Sequence, residues 1–159
     1  AHDTQIIKDG ILVAGLSDLT SASQLGTEPT GNGRRESYSH KAYSRMTNTF
    51  FERGNDKLED MIASVDDGYY FIDSNNGQAD MTGEFMFGVC MGYEIKHGKL
   101  GRAIFDTTIS GVAFDMLKSV DMVGDTMEWS SSGFCGKKQP MPVGLGGPAI
   151  KCRVLCGGR

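Results

Sequence analysis

Gly83-Glu-Phe-Met-Phe-Gly-Val-Cys-Met-Gly-Tyr-Glu-Ile-Lys-His-Gly-Lys-Leu-Gly-Arg-Ala-Ile-Phe105 is the stretch on which the fold turns. Phe85 and Phe87 alternate with Met86 and Gly88, the period of two that sends successive side chains to opposite faces of a strand. Strand-like residues 93–96 and 100–105 then flank His97-Gly98, a pair suited to a tight turn. A β-hairpin is predicted. Working outward, residues 5–15 alternate around Asp9-Gly10 in the same form, because both turn positions tolerate positive φ. Ile7-Lys8-Asp9-Gly10-Ile11 matches Ile95-Lys96-His97-Gly98-Lys99, although two hairpins do not make a repeat.

Helix signals sit between these hairpins. Ser17 or Asp18 can cap a short helix with Leu19, Ala22 and Leu25 on one face, ended by Gly26. A second helix is predicted where Leu58, Met61, Ile62 and Val65 fall at i, i+3, i+4 and i+7, capped by Asn55 or Asp56 and stopped by Gly68. Glu59 and Asp60 suit its positive end. A third spans 111–123, with Phe114, Leu117 and Val120 sharing a face before Gly124. Residues 27–45 are polar and read as loop, 69–73 as strand, 74–77 as a Gly/Asn turn, and the tail from Glu128 as extended. Residues 144–147 read as a tight turn feeding the last strand. This order predicts one α+β domain over 1–159, with mainly antiparallel pairing and about three helices.

The 159 residues hold 16 basic against 20 acidic side chains, a net charge of −4, and no basic cluster longer than Arg34-Arg35. That balance argues against electrostatic capture of nucleic acid or of an anionic membrane. Apolar runs such as 85–91 fall far short of the ~20 residues a membrane helix needs, and no signal peptide opens the sequence. A cytoplasmic address follows. Four cysteines without the density of a disulfide scaffold read as reduced thiols. The start at Ala1, without Met and directly in strand-like sequence, predicts a piece of something longer.

Candidate chemistry is sparse. A lone cysteine in a Gly-rich loop, as at Cys135, is more often structural or free than ligating, and no histidine is placed by spacing to activate it. Cys152 and Cys156, four apart in an expected strand, would lie about 13 Å apart on one face, too far for one metal or one disulfide. Cys90 reads as a small buried hydrophobe. His2, His40 and His97 are expected at the surface. Arg45, Thr47, Asn48 and Thr49 form a polar block that either lines a groove or satisfies buried backbone; Arg45 and Asn48 are candidates for positioning an extended peptide.

Gly31-Asn-Gly-Arg-Arg-Glu-Ser-Tyr38, Arg45-Met-Thr-Asn-Thr49 and Cys135-Gly-Lys137, followed by Pro142-Val-Gly144 and Gly157-Gly158, carry a further signal. In this order they resemble the C-terminal region of the TldD/PmbA family, once called modulators of DNA gyrase. Weaker matches at Thr82-Gly83-Glu84-Phe85, 95–99 and Met122-Val-Gly124 extend the likeness along the chain. The resemblance implies a zinc metallopeptidase whose His-Glu-x-x-x-His helix supplies two ligands and a general base, with a distant cysteine as third ligand. Cys135 matches that ligand. No His-Glu-x-x-x-His occurs in the sequence, so the resemblance places the metal helix upstream and implies that this region alone is inactive and holds no zinc. It also implies unfolded or modified peptides as substrates, and a homodimer or TldD/TldE-type heterodimer. The alternative it leaves is a non-catalytic, PmbA-like peptide-binding or assembly module. One departure is visible: the family pattern Cys-Gly-Lys-x-Gly-Gln is one residue shorter here, Lys137-Lys138-Gln139, and lacks its second glycine.

Overall fold

The computed structural model describes residues 2–157; Gly158, quoted above with Gly157, lies outside them. Three short helices and mainly antiparallel strands make the fold α+β, as expected. The chain divides into two compact units, Ala1–Glu52 with Glu128–Gly147, and Arg53–Met127 with Pro148–Arg159. Elements are numbered along the whole chain.

The second unit is built on the decisive stretch. Strands β6 (Asp67–Ala79), β7 (Glu84–Lys96), β8 (Lys99–Val112) and β13 (Leu155–Gly157) form an antiparallel sheet in the order β13-β8-β7-β6. His97 and Gly98 take φ 50° and 73° and close the β7–β8 hairpin as predicted. Val89 and Ile95 on β7 are buried. The turn predicted at 74–77 is absent, because β6 runs through it with bulges, pairing Asn75 with Gly88 and Gly77 with Phe87. Gly77 is instead a close-approach glycine: a Cβ there would lie 1.9 Å from Cδ1 of the Phe87 ring. An aromatic ring over a strand glycine explains why the residue type misled. The real turn is made by Asp80, whose Oδ1 accepts from the Thr82 N–H (2.8 Å), the Thr82 hydroxyl (2.6 Å) and the Glu84 N–H (3.2 Å).

Both helices of this unit are shorter than their periodicity suggests. Helix α2 covers Leu58–Ala63 with Met61 buried, and its N-cap is Lys57 without a side-chain bond. Asp56 is not the cap, because its Oδ2 accepts from the Val123 N–H at 2.7 Å. Helix α3 covers Ala113–Lys118 rather than 111–123. Its expected ends are taken by sheet: Gly111 and Val112 pair with Phe85 and Glu84 in β8, and β9 (Met122–Val123) pairs with β12 (Ile150–Lys151).

In the first unit, β1 (Ile7–Lys8) and β2 (Ile11–Leu12) form the hairpin predicted around Asp9 and Gly10, at φ 49° and 75°. Helix α1 (Leu19–Leu25) has a full capping box between Asp18 and Ser21 and ends at Gly26 with φ 66°. Only Ala22 of its apolar face is buried; Leu19 and Leu25 are exposed. The stretch read as loop contains β3 (Gly33–Arg34) paired with β4 (Tyr43–Ser44), and β5 (Asn48–Phe50) follows. Two-residue strands carry no periodicity to read. Strands β10 (Glu128–Cys135) and β11 (Met141–Gly147) are antiparallel, and β5 joins β11 in parallel, with Asn48 opposite Gly144. Residues 144–147 are therefore strand rather than turn, with Phe50 edge-to-face against Trp129 at 5.0 Å. Met141 and Val143 are buried here. No helix among the described residues is long and apolar enough to cross a membrane.

Candidate functional site

Cys135 ends β10 and pairs with Met141 at the start of β11, so residues 136–140 form the loop that joins the two strands. The loop needs one left-handed residue, a conformation that favours glycine. Lys138 supplies it, at φ 61°, where the family pattern has a glycine nearby. The Lys138 ammonium lies 4.8 Å from the centroid of the Tyr43 ring, a cation–π contact that holds the strained residue down.

Polar side chains from 32–46 meet this loop. Arg45 is 2% exposed, and its Nη2 donates to the Cys135 carbonyl. Its Nε and Nη1 are buried without a hydrogen-bond partner among the described residues. Asn32, also buried, holds Arg45 in turn: Asn32 Nδ2 donates to the Arg45 carbonyl at 3.1 Å, and the Arg45 N–H donates to the Asn32 carbonyl at 2.9 Å. Gln139, 5% exposed, accepts from the Glu36 N–H at 2.7 Å and donates through Nε2 to the Lys41 carbonyl at 2.8 Å. Arg34 donates to the Met46 carbonyl at 2.7 Å and the Pro142 carbonyl at 2.9 Å. These bonds of Arg45, Asn32, Gln139 and Arg34 are all made to main-chain groups.

The thiol of Cys135 feels opposing influences. Burial disfavours its thiolate, while the Arg45 guanidinium and the Lys137 backbone N–H favour it; the balance holds the thiol below its ordinary value. Cys152 and Cys156 behave oppositely, since burial pushes both thiols up, reinforced at Cys152 by Asp121 and Cys156. The two do not share a strand: Cys156 is in β13 and Cys152 precedes it. All four cysteines are free. As expected, His2, His40 and His97 are exposed. His40 Nδ1 bonds the Ser37 hydroxyl at 2.7 Å, and His97 pairs with Asp66.

A soft metal ion can take Cys135 as one donor. Cys135 offers a sulfur favoured as thiolate, and no three His, Cys, Asp or Glu side chains converge as ligands among the described residues. Of the two residues considered for peptide positioning, Arg45 is brought to Cys135. Asn48 instead lines a shallow depression of about 280 Å³ with Arg34, Thr47, Pro142, Val143 and Gly144. Its amide leaves no room for a Cβ at Gly144, which would lie 2.5 Å from Asn48 Oδ1. Sequence reasoning missed Asn32 and Gln139. A polar side chain between Gly31 and Gly33, or before Pro140, carries no local sign of burial.

Comparisons with known proteins agree on one family. The sequence profile of the PmbA/TldA metallopeptidase C-terminal domain matches residues 1–155. A metalloprotease TldD homolog of Buchnera aphidicola subsp. Schizaphis graminum is 43% identical over 153 residues, covering 94% of this chain and 32% of that protein. The zinc metalloprotease TldD homolog of Saccharolobus solfataricus is 32% identical, over 97% of this chain and 35% of its own length. The chain thus spans about a third of the curated relatives it matches. The crystal structure of TldE from Thermococcus kodakarensis has the same fold, with a TM-score of 0.72 at 22% identity over 96% of this chain and 33% of that one. The chain belongs to the PmbA/TldD metallopeptidase family and corresponds to its C-terminal domain.

Proposed function

We propose that this region is the C-terminal domain of a TldD-type zinc peptidase acting on unfolded or modified peptides, and that it supplies Cys135 as one zinc ligand together with part of the peptide groove. The observation that carries the reading is the seating of Cys135: a thiol held below its ordinary value, at the end of β10 and beside a loop fixed by buried side chains. Zinc bound by such a thiolate and two other ligands supplies a bound water of lowered pKa for attack on a peptide carbonyl. The residues of this chain do the rest of what is proposed here. Arg45 fixes the Cys135 backbone and balances the thiolate charge. Asn48, exposed at the start of β5, an edge of its sheet, offers an amide to an extended peptide beside the 280 Å³ depression. Among the described residues no three His, Cys, Asp or Glu side chains converge, so the proposal makes this region inactive and free of zinc by itself. The proposal includes a cytoplasmic address and assembly as a homodimer or with a TldE-type partner, and TldE from Thermococcus kodakarensis shares this fold.

The test is zinc content by mass spectrometry in the intact protein that carries this region, beside Cys135→Ser and Cys156→Ser. Zinc is expected to fall sharply in Cys135→Ser and to hold in Cys156→Ser. Unchanged zinc in Cys135→Ser refutes the ligand assignment.

A further inference from the structure

We propose that Gln139 is a positioning residue for Cys135: its buried amide fastens the loop that follows Cys135 at the end of β10, so that the ligand is presented in one place before any metal arrives. The proposal rests on the reading of Cys135 as a zinc ligand. Its observations are independent of that reading. Gln139 is 5% exposed, and both ends of its amide are used on main chain, Oε1 on the Glu36 N–H at 2.7 Å and Nε2 on the Lys41 carbonyl at 2.8 Å. The contacts bridge 103 and 98 residues of sequence, so they tie the loop to a distant segment instead of merely shaping it locally. Arg45 holds the Cys135 carbonyl at the other end of the same loop. Between the two anchors Lys138 takes a φ of 61°, which persists only where its surroundings enforce it.

An amide bonded at both ends adds direction without charge. Removing it alters where the sulfur sits and leaves the charges of Arg45 and Lys137 in place, so an effect on metal binding is geometric. Arg45 cannot separate these contributions, because its loss changes position and charge together. Partners that orient a metal ligand without touching the metal typically contribute 10- to 100-fold in affinity when mutated.

The experiment uses the intact protein, stripped and reloaded, with zinc affinity measured by chelator competition and with cobalt(II) as a spectroscopic probe of the sulfur. Gln139→Ala removes the amide; Gln139→Met removes both hydrogen bonds and keeps most of the volume. Both variants are expected to fill at saturating zinc, with affinity lowered roughly 10- to 100-fold and the thiolate-to-cobalt charge-transfer band weakened, while far-UV circular dichroism of the metal-free protein is unchanged. Affinity within about twofold of wild type in both variants overturns the proposal, as does unfolding of both, which makes Gln139 merely structural. Cys135→Ser separates the two levels. If it abolishes the cobalt–sulfur band while the Gln139 variants behave as wild type, the ligand assignment stands and this proposal fails. If it keeps full zinc affinity, both fail.

Discussion

Replacing Asn32 by alanine isolates the support beneath Arg45. The Asn32 main chain stays bonded, its N–H to the Ser17 carbonyl at 3.1 Å and its carbonyl to the Arg45 N–H at 2.9 Å, so the variant removes side-chain bonds alone. Two contacts go: Nδ2 to the Arg45 carbonyl, and the Thr30 hydroxyl to Oδ1 at 2.7 Å. Thr30 keeps the Ser17 carbonyl at 3.1 Å, so little is lost at that end. The Arg45 carbonyl, beside a side chain 5% exposed, has its partner removed and little water to replace it. A buried acceptor left without its partner costs about 1–3 kcal/mol. At about 1.4 kcal/mol per tenfold, local opening of residues 30–46 becomes roughly 5- to 150-fold more frequent. Hydrogen–deuterium exchange of the intact protein reads this directly, as faster exchange of the Arg45 amide. Asn32→Asp keeps the shape and turns the donor into an acceptor facing a carbonyl, so it is expected to exchange at least as fast as the alanine variant. Exchange within about threefold of wild type in Asn32→Ala, or full protection in Asn32→Asp, refutes the reasoning, because shape alone would then suffice.

Two further expectations concern the second unit. A Cβ at Gly54 would lie 2.2 Å from the Val123 carbonyl oxygen and 2.9 Å from its carbon, where the Gly54 N–H bonds the Gly124 carbonyl at 2.8 Å and the Asp56 N–H bonds the Val123 carbonyl at 3.1 Å. Gly54→Ala is therefore expected to lose about 1–3 kcal/mol or more in protection of the Gly54 and Asp56 amides, while Gly15→Ala, with nothing within 4 Å of its Cβ, is expected to lose none. Asp80 sits below the usual aspartate value chiefly because the Thr82 hydroxyl donates to its carboxylate, helped by backbone N–H groups of 82–84. A carboxyl depressed in the folded state stabilises above its unfolded value near ~3.9, and that contribution disappears as pH falls through the folded value. The Asp80 carboxyl carbon, followed by NMR, is expected to titrate below ~3.9, and Thr82→Ala to move it up; a midpoint at the ordinary value, unmoved by Thr82→Ala, rules this out.

What could be read from the sequence was what neighbours along the chain decide. Asp9-Gly10 and His97-Gly98 announced their hairpins because positive φ is a property of those residues. Asp18 and Gly26 bracketed α1 on equally local grounds, the first through its side-chain cap on the Ser21 N–H and the second through its φ of 66°. Failures began where a distant residue decides. Gly77 resembled a turn because Phe87, ten residues on, is what its missing side chain accommodates. Helix α3 lost both expected ends to strand partners as far away as Ile150 and Lys151. In the site, Cys135 was reachable through family resemblance, whereas the roles of Gln139, Arg45 and Asn32 depend on partners 13 to 103 residues away. The glycine of the family pattern is absent from the loop, and Lys138 takes a left-handed conformation there.

Burial differs in kind between the two units, and the difference bears on how a ligand is held. Among the described residues the buried apolar side chains are Ala22, Met141 and Val143 in the first unit, and Met61, Val89 and Ile95 in the second. The buried polar ones, Ser17, Asn32, Arg45 and Gln139, all lie in the first unit. Apolar packing is nondirectional and tolerates small shifts, which suits a long sheet whose register is already set by its ladders. A loop of five residues between Cys135 and Met141 has no ladder of its own. Hydrogen bonds from buried side chains to main-chain groups have direction, and each left unmade is costly, so together they admit one arrangement of the loop. A metal ligand offset by about 1 Å binds poorly, because coordination distances are narrow to within ~0.2 Å. In the first unit Arg45 holds the Cys135 carbonyl and Gln139 holds the loop that follows it, so directional bonds lie on both sides of the position proposed above as the ligand.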